Sequence, residues 1–114
     1  MPIPTRNPLA KRTVFPPVLI NNAGAATTTI FDSAVDGPLG QVVIQNCGVA
    51  PIKYAFNTSA SDVVFHGVLA ACGTVDDGLG SLVSITDEAS IVSISIYGAA
   101  AHRAAISKFI ARNN

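Results

Sequence analysis

Charge is scarce in this sequence. Asp, Glu, Lys and Arg make up 12% of it, against roughly 25% in ordinary soluble domains. A lone domain with so few charges exposes much neutral, weakly hydrated surface, which favours association. The expectation is a subunit of an assembly; the alternative is a compact monomer with a Ser/Thr/Asn-rich skin. Neither sign is in excess, since seven cations face seven acids. Tryptophan is absent and tyrosine occurs twice, which leaves little from which to build stacking platforms for sugars or single-stranded nucleic acid. The two cysteines, Cys47 and Cys72, show no CxxC or Cys/His spacing. That gives zinc no foothold; Cys47 and Cys72 could pair, but nothing in the sequence brings them together, and two buried free thiols are the favoured reading. Thr13 to Phe31 lacks charge, but its Pro, Asn, Gly and Thr residues make a poor membrane span. Pro16-Pro17 and Asn21-Asn22 also spoil the apolar stretch that a signal peptide needs. Synthesis in a cytoplasm, with no membrane anchor, is the expectation.

What charge there is lies unevenly. Arg6, Lys11 and Arg12 sit near the start, and Arg103, Lys108 and Arg112 near the end. All seven acids fall between Asp32 and Glu88, with Lys53 as the one cation among them. Three cations without interleaved aromatics are a weak signal for nucleic acid, and no nucleic-acid partner is expected. The first seventeen residues, MPIPTRNPLAKRTVFPP, hold five of the seven prolines. Proline removes backbone donors and favours extended chain. Residues 1–17 therefore read as an extended arm and residues 18–114 as one domain. Ile3, Leu9, Val14 and Phe15 are apolar anchors for such an arm; Arg6, Lys11 and Arg12 suit acidic groups on a neighbour. The bland alternative for Met1 to Pro8 is a floppy tail.

Beyond the arm, short apolar segments alternate with turn chemistry. Strands are expected at Val18–Asn21, Thr27–Asp32, Gln41–Cys47, Ile52–Asn57, Val63–Ala70, Ser81–Ile85 and Ser90–Gly98. In the last of these, Val92, Ile94 and Ile96 should point inward, and Ser93, Ser95 and Tyr97 outward. Gly67 inside an apolar run suggests a bend or bulge. Residues 99–112 are rich in helix formers, but the preceding strands need a partner for their last edge; a strand over Ala104–Ala111 is chosen. Seven or eight strands at intervals of about ten residues predict an all-β fold, an antiparallel β-sandwich or small barrel with an extended N-terminal arm.

The stretch with most potential for chemistry is FHGVLAACGTVDDGLGSLVSI, Phe65 to Ile85. Adjacent carboxylates beside two glycines raise a metal loop and a phosphate loop as candidates. A calcium loop needs oxygens at alternating positions and a distal Glu; Asp76 and Asp77 are adjacent, and no acid follows until Asp87. A phosphate loop of Walker form needs Lys and a following helix, whereas this segment leads into a strand. A turn is the favoured reading. His66 reads as a packed or interface residue, and His102, beside Arg103, as a surface residue. No nucleophile elbow occurs. No catalytic residue, cofactor or metal site is assigned, and no enzyme is expected. Asn57-Thr58-Ser59 is a formal glycosylation site without meaning in a cytoplasm.

Four stretches together, NNAGAATTTI, GQVVIQNCGVAPIKYAFNTSAS, FHGVLAACGTVDDGLGS and VSISIYG, resemble a pattern in small phage structural proteins. The resemblance covers roughly Asn21 to Gly98. It implies a small β-sandwich virion component of the capsid decoration or cement type. Such a protein would be a homo-oligomer, dimer or trimer, binding the major capsid protein on the outer capsid surface, with an arm reaching a neighbour. The arm here is longer and richer in proline than that pattern requires. A tail, collar or head-fibre component is the nearest rival, and a receptor- or carbohydrate-binding sandwich the rival from another class.

Overall fold

A computed structural model describes residues 12–14, 16–86 and 90–111 of the chain. Among these, nine strands form two antiparallel sheets: β1 (Arg12–Val14), β2 (Val18–Asn22), β3 (Ala26–Asp32), β4 (Leu39–Asn46), β5 (Ile52–Phe56), β6 (Gly67–Leu69), β7 (Leu82–Thr86), β8 (Ser93–Gly98) and β9 (His102–Ala111). One helical turn, α1 (Ser33–Asp36), is capped by the Asp32 carboxylate, which accepts from the Ala34 N–H. The first sheet runs β2-β9-β4-β7, with β1 further along the same edge of β9 as β2. The second runs β3-β8-β5-β6. The fold is the expected all-β sandwich.

The pairing has a simple logic. β5 pairs with β6, β4 with β7, β3 with β8 and β2 with β9. The chain is thus one long hairpin with its tip at β5–β6, rolled so that successive rungs fall in alternate sheets. Contacts β4–β9 and β5–β8 close each sheet. This is the jelly-roll arrangement of eight strands in two sheets.

Alternation in the sequence drives the layering. In β4, Val42, Ile44 and Asn46 are buried, while Gln41, Val43 and Gln45 are half-buried on the other face. In β9, Ala104, Ile106 and Ile110 turn inward. Ile52, Ile94, Ile96 and Phe31 answer them from the second sheet, each no more than 1% exposed. A bulge between Thr29 and Phe31 buries Ile30 and Phe31 together.

Several expectations need correction. β6 spans only Gly67–Leu69, not Val63–Ala70. Residues 63–66 instead fold as a loop, in which the Ser61 hydroxyl accepts from the Val63 and Val64 N–H groups. At Gly67 the Tyr54 ring lies so close that no Cβ would fit; close approach, not a bulge, requires the glycine. β8 begins at Ser93, so the period of two does not reach Val92, which is 52% exposed while Ile91 is buried. Ser95 points outward as expected but is buried, because a loop covers it. Arg12–Val14, placed in the arm by sequence, forms an edge strand on β9, opposite residues 109–111.

Candidate interaction surface

Side chains fall into two ends and two outer faces. At one end, the β4–β5, β6–β7 and β8–β9 connections are tied by polar groups. Asn46, fully buried, donates to the carbonyls of Ala50 (2.8 Å) and Leu69 (3.1 Å) and accepts from the Gly48 N–H (3.0 Å). Gly80 packs against the Asn46 carbonyl with no room for a Cβ. His102, expected on the surface, is 3% exposed. Its Nδ1 lies 2.7 Å from the Ala100 carbonyl, so Nδ1 carries the proton. Nε2 then accepts from the Asn22 amide at 3.1 Å, and that amide also donates to Thr28. His102 thus joins the β2–β3 and β8–β9 turns. The sequence hid this because polar neighbours in a turn-rich stretch look alike whether or not the fold closes over them.

The Asp-Asp-Gly segment is a turn. Asp76 has φ 61° and Gly78 φ 81°. The Asp77 carboxylate accepts from the backbone N–H groups of Gly73, Thr74 and Leu79 at 2.8–2.9 Å. Those bonds, from Thr74 and Leu79 above all, hold its carboxyl below the usual carboxylate range. Asp76 pairs with Arg103 at 2.8 Å. Both carboxylates are thereby used in holding the loop. Among the described residues no group of three or more His, Cys, Asp or Glu side chains could hold a metal. Cys47 and Cys72 are free; Cys47 is only half-buried, against the expectation of two buried thiols, whereas Cys72 is buried, and burial pushes its thiol pKa up. His66 lies outside any strand, stacked on Phe56 at 5.0 Å, and its Nδ1 accepts from the Phe56 N–H. Surface depressions beside His102 and Tyr97 measure about 230 and 190 Å3, below the roughly 300–1,000 Å3 of small-molecule sites.

The outer faces differ. On the second sheet, the loop over residues 57–66 folds back as a cover. Ser95 Oγ accepts from Ala60 N (2.7 Å) and donates to Thr58 O (2.9 Å), and Thr27 donates to Ala60 O. Ala55 is buried beneath it, and the loop's own Ala60 is buried against the sheet. Lys53 fastens the far end, bonded to Asp62 at 3.1 Å with its ammonium 4.5 Å above the Phe65 ring.

The first sheet has no such cover. The register sets Gln41 opposite Thr86, Val43 opposite Ser84 and Gln45 opposite Leu82 on its outer face. Ser107, Ala105 and Leu19 extend the rows across β9 and β2. Leu82 and Leu19 are 56% and 49% exposed. Along β2, β4, β7 and residues 102–110 of β9 the only charged side chain on this face is Arg103, already held by Asp76. This bare, neutral face is the candidate interaction surface. Of the arm residues singled out from sequence, Ile3, Arg6, Leu9, Lys11 and Phe15 lie outside the described residues; Arg12 and Val14 lie in β1, at the edge of this same sheet.

No family model, curated protein or solved structure matches the chain.

Proposed function

We propose that this chain is a non-enzymatic structural component of a virion, a decoration or cement protein that binds the outer capsid lattice and stabilises the assembled shell. The observation that carries the reading is the bare outer face of the first sheet, nearly free of charge and uncovered, whereas a loop covers the centre of its counterpart around Ser95 and Ala55. A face of this extent with so little charge suits lasting contact better than free solution. The jelly roll is compatible, since that architecture serves viral shells as well as lectins, although a fold alone selects no function. The sequence resemblance adds the choice of a phage capsid.

The mechanism is linkage. A shell under internal pressure fails where subunits separate, and a ligand specific for the assembled state stabilises that state. The rigid sandwich supplies the body, and the arm leaves it at β1, beside the bare face. Ile3, Leu9, Val14 and Phe15 are the proposed anchors, with Arg6, Lys11 and Arg12 meeting acidic lattice residues of the major capsid protein. Many identical weak contacts act together. The protein works as a homo-oligomer on the capsid surface, with neither nucleic acid nor membrane as partner.

The test uses purified chain and undecorated capsids. Removing Met1–Lys11 stops short of β1 and so spares the sheet. The truncated chain should bind capsids at least tenfold more weakly, and its particles should lose their protection on heating. Unchanged binding and survival contradict the arm as clamp. Imaging separates the nearest rival: copies crowded at one vertex or on the tail mark a collar, fibre or tail component.

A further inference from the structure

We propose that β7 pairs with β7 of a second copy of this chain, antiparallel across a twofold axis, so that the first sheet runs on from one protomer into the next. The polarity of the ladder shows which groups are free. Asn46 N bonds to Ser81 O, and Cys47 N to Arg103 O. Even-numbered residues of β4 therefore face β7 and odd-numbered ones face β9. With the β4–β7 register, the backbone N–H and C=O groups of Leu82, Ser84 and Thr86 point off the sheet. Among the described residues β7 pairs with β4 alone.

Natural proteins guard such edges with bulges, prolines, charge or brevity. β3 has its bulge. β6 is three residues long. β2 follows Pro16-Pro17 and turns only Leu19 and Asn21 outward. β7 has none of these: its five residues, LVSIT, are uncharged, free of proline and regular in register.

Two features select a second copy as the occupant. Pairing about Ser84 sets that residue opposite Ser84 of the partner subunit, and Leu82 opposite Thr86 of the partner subunit. Every outward donor then meets an outward acceptor, and a neutral strand meets itself without like-charge repulsion. The arm is a poorer mate, because Pro2, Pro4 and Pro8 lack donors. Pairing at β7 also makes the bare faces of two protomers continuous. The inference deepens the assembly reading and rests on it for the idea of a homo-oligomer.

The test is made on the full chain with no capsid present, so it stands or falls separately from shell binding. Amide exchange by NMR and sedimentation equilibrium are followed across a concentration series. The expected result is an even-numbered oligomer in which the Leu82, Ser84 and Thr86 amides are protected at least tenfold, with protection falling on dilution. Ser84→Pro removes one outward donor and leaves the bonds to β4 in place, as edge strands tolerate; it should keep the far-ultraviolet circular dichroism and raise the dissociation constant at least 100-fold. Ser84→Asp, which sets like charges at the twofold, should raise it at least tenfold and covers the case in which the proline variant does not fold. The proposal is overturned by free exchange of these amides at every concentration. Their protection in a particle of monomer mass, which assigns the edge to the chain's own arm, also overturns it, as does an unchanged mass in the variants.

Discussion

The two sheets share one core and differ on the outside. Inward, both present fully buried aliphatic rows, Val42 and Ile44 against Ile94 and Ile96. Outward, the centre of the second sheet, at Ser95 and Ala55, is covered by its own β5–β6 loop, pinned through Ser95 and Lys53, with Thr27, Thr29 and Val68 left exposed at its sides, whereas the first lies open. A single chain has two ways to satisfy an outer sheet face of low charge: cover it with a loop or leave it for a neighbour. Under the proposed assembly, this chain uses one on each side.

The comparison can be tested by substitution, beginning where the sheets should agree. Ile44→Ala and Ile96→Ala should each cost about 2–5 kcal/mol in chemical denaturation, because each opens a cavity in the shared core. A large difference between the two would mean that the inner faces are not equivalent. Next come the outer serines. Ser95→Ala leaves the Ala60 N–H and Thr58 carbonyl without their partner and should cost about 1–3 kcal/mol. Ser107→Ala, on the open face, should stay within about 0.5 kcal/mol. Equal costs would erase the distinction between covered and bare.

A smaller effect belongs to the end loops. The Asp77 carboxyl has a lowered folded pKa, so its contribution to stability is present above the unfolded value of about 3.9. It is lost as pH falls through the folded value. Denaturation midpoints should therefore drop below about pH 4 more steeply in the parent than in Asp77→Asn. Identical profiles would show that the three backbone bonds to Asp77 add nothing. The least costly test concerns the thiols. Cys72 is buried with a raised pKa, so alkylation of the folded chain should mark Cys47 first and reach Cys72 only on unfolding.

Much of the architecture was legible because strands advertise themselves by alternation. The pattern QVVI and ISIY marks β4 and β8, and the need to pair a last edge favours strand over helix in the alanine-rich β9. Three things were not legible, for physical reasons. Register and sheet order depend on contacts distant in sequence, so the rolled hairpin was invisible. Loop cover was invisible too: Ser95 reads as a solvent-facing serine until residues 57–66 fold over it. Buried polar residues such as Asn46 and His102 carry no local mark, because their satisfaction comes from backbone carbonyls in other turns. The bare face was only half legible. Low charge foretold an exposed neutral skin, and only the register shows which side carries it.

The central claim is that the open face of the first sheet is an assembly surface. Co-sedimentation of the purified full chain with undecorated capsids, beside a Ser107→Glu variant with one charge in the middle of that face, tests it most directly. The account predicts that the parent binds the shells and that the variant binds at least tenfold more weakly, while its own mass in solution, set at the β7 edge, is unchanged. Equal binding by parent and variant would contradict it.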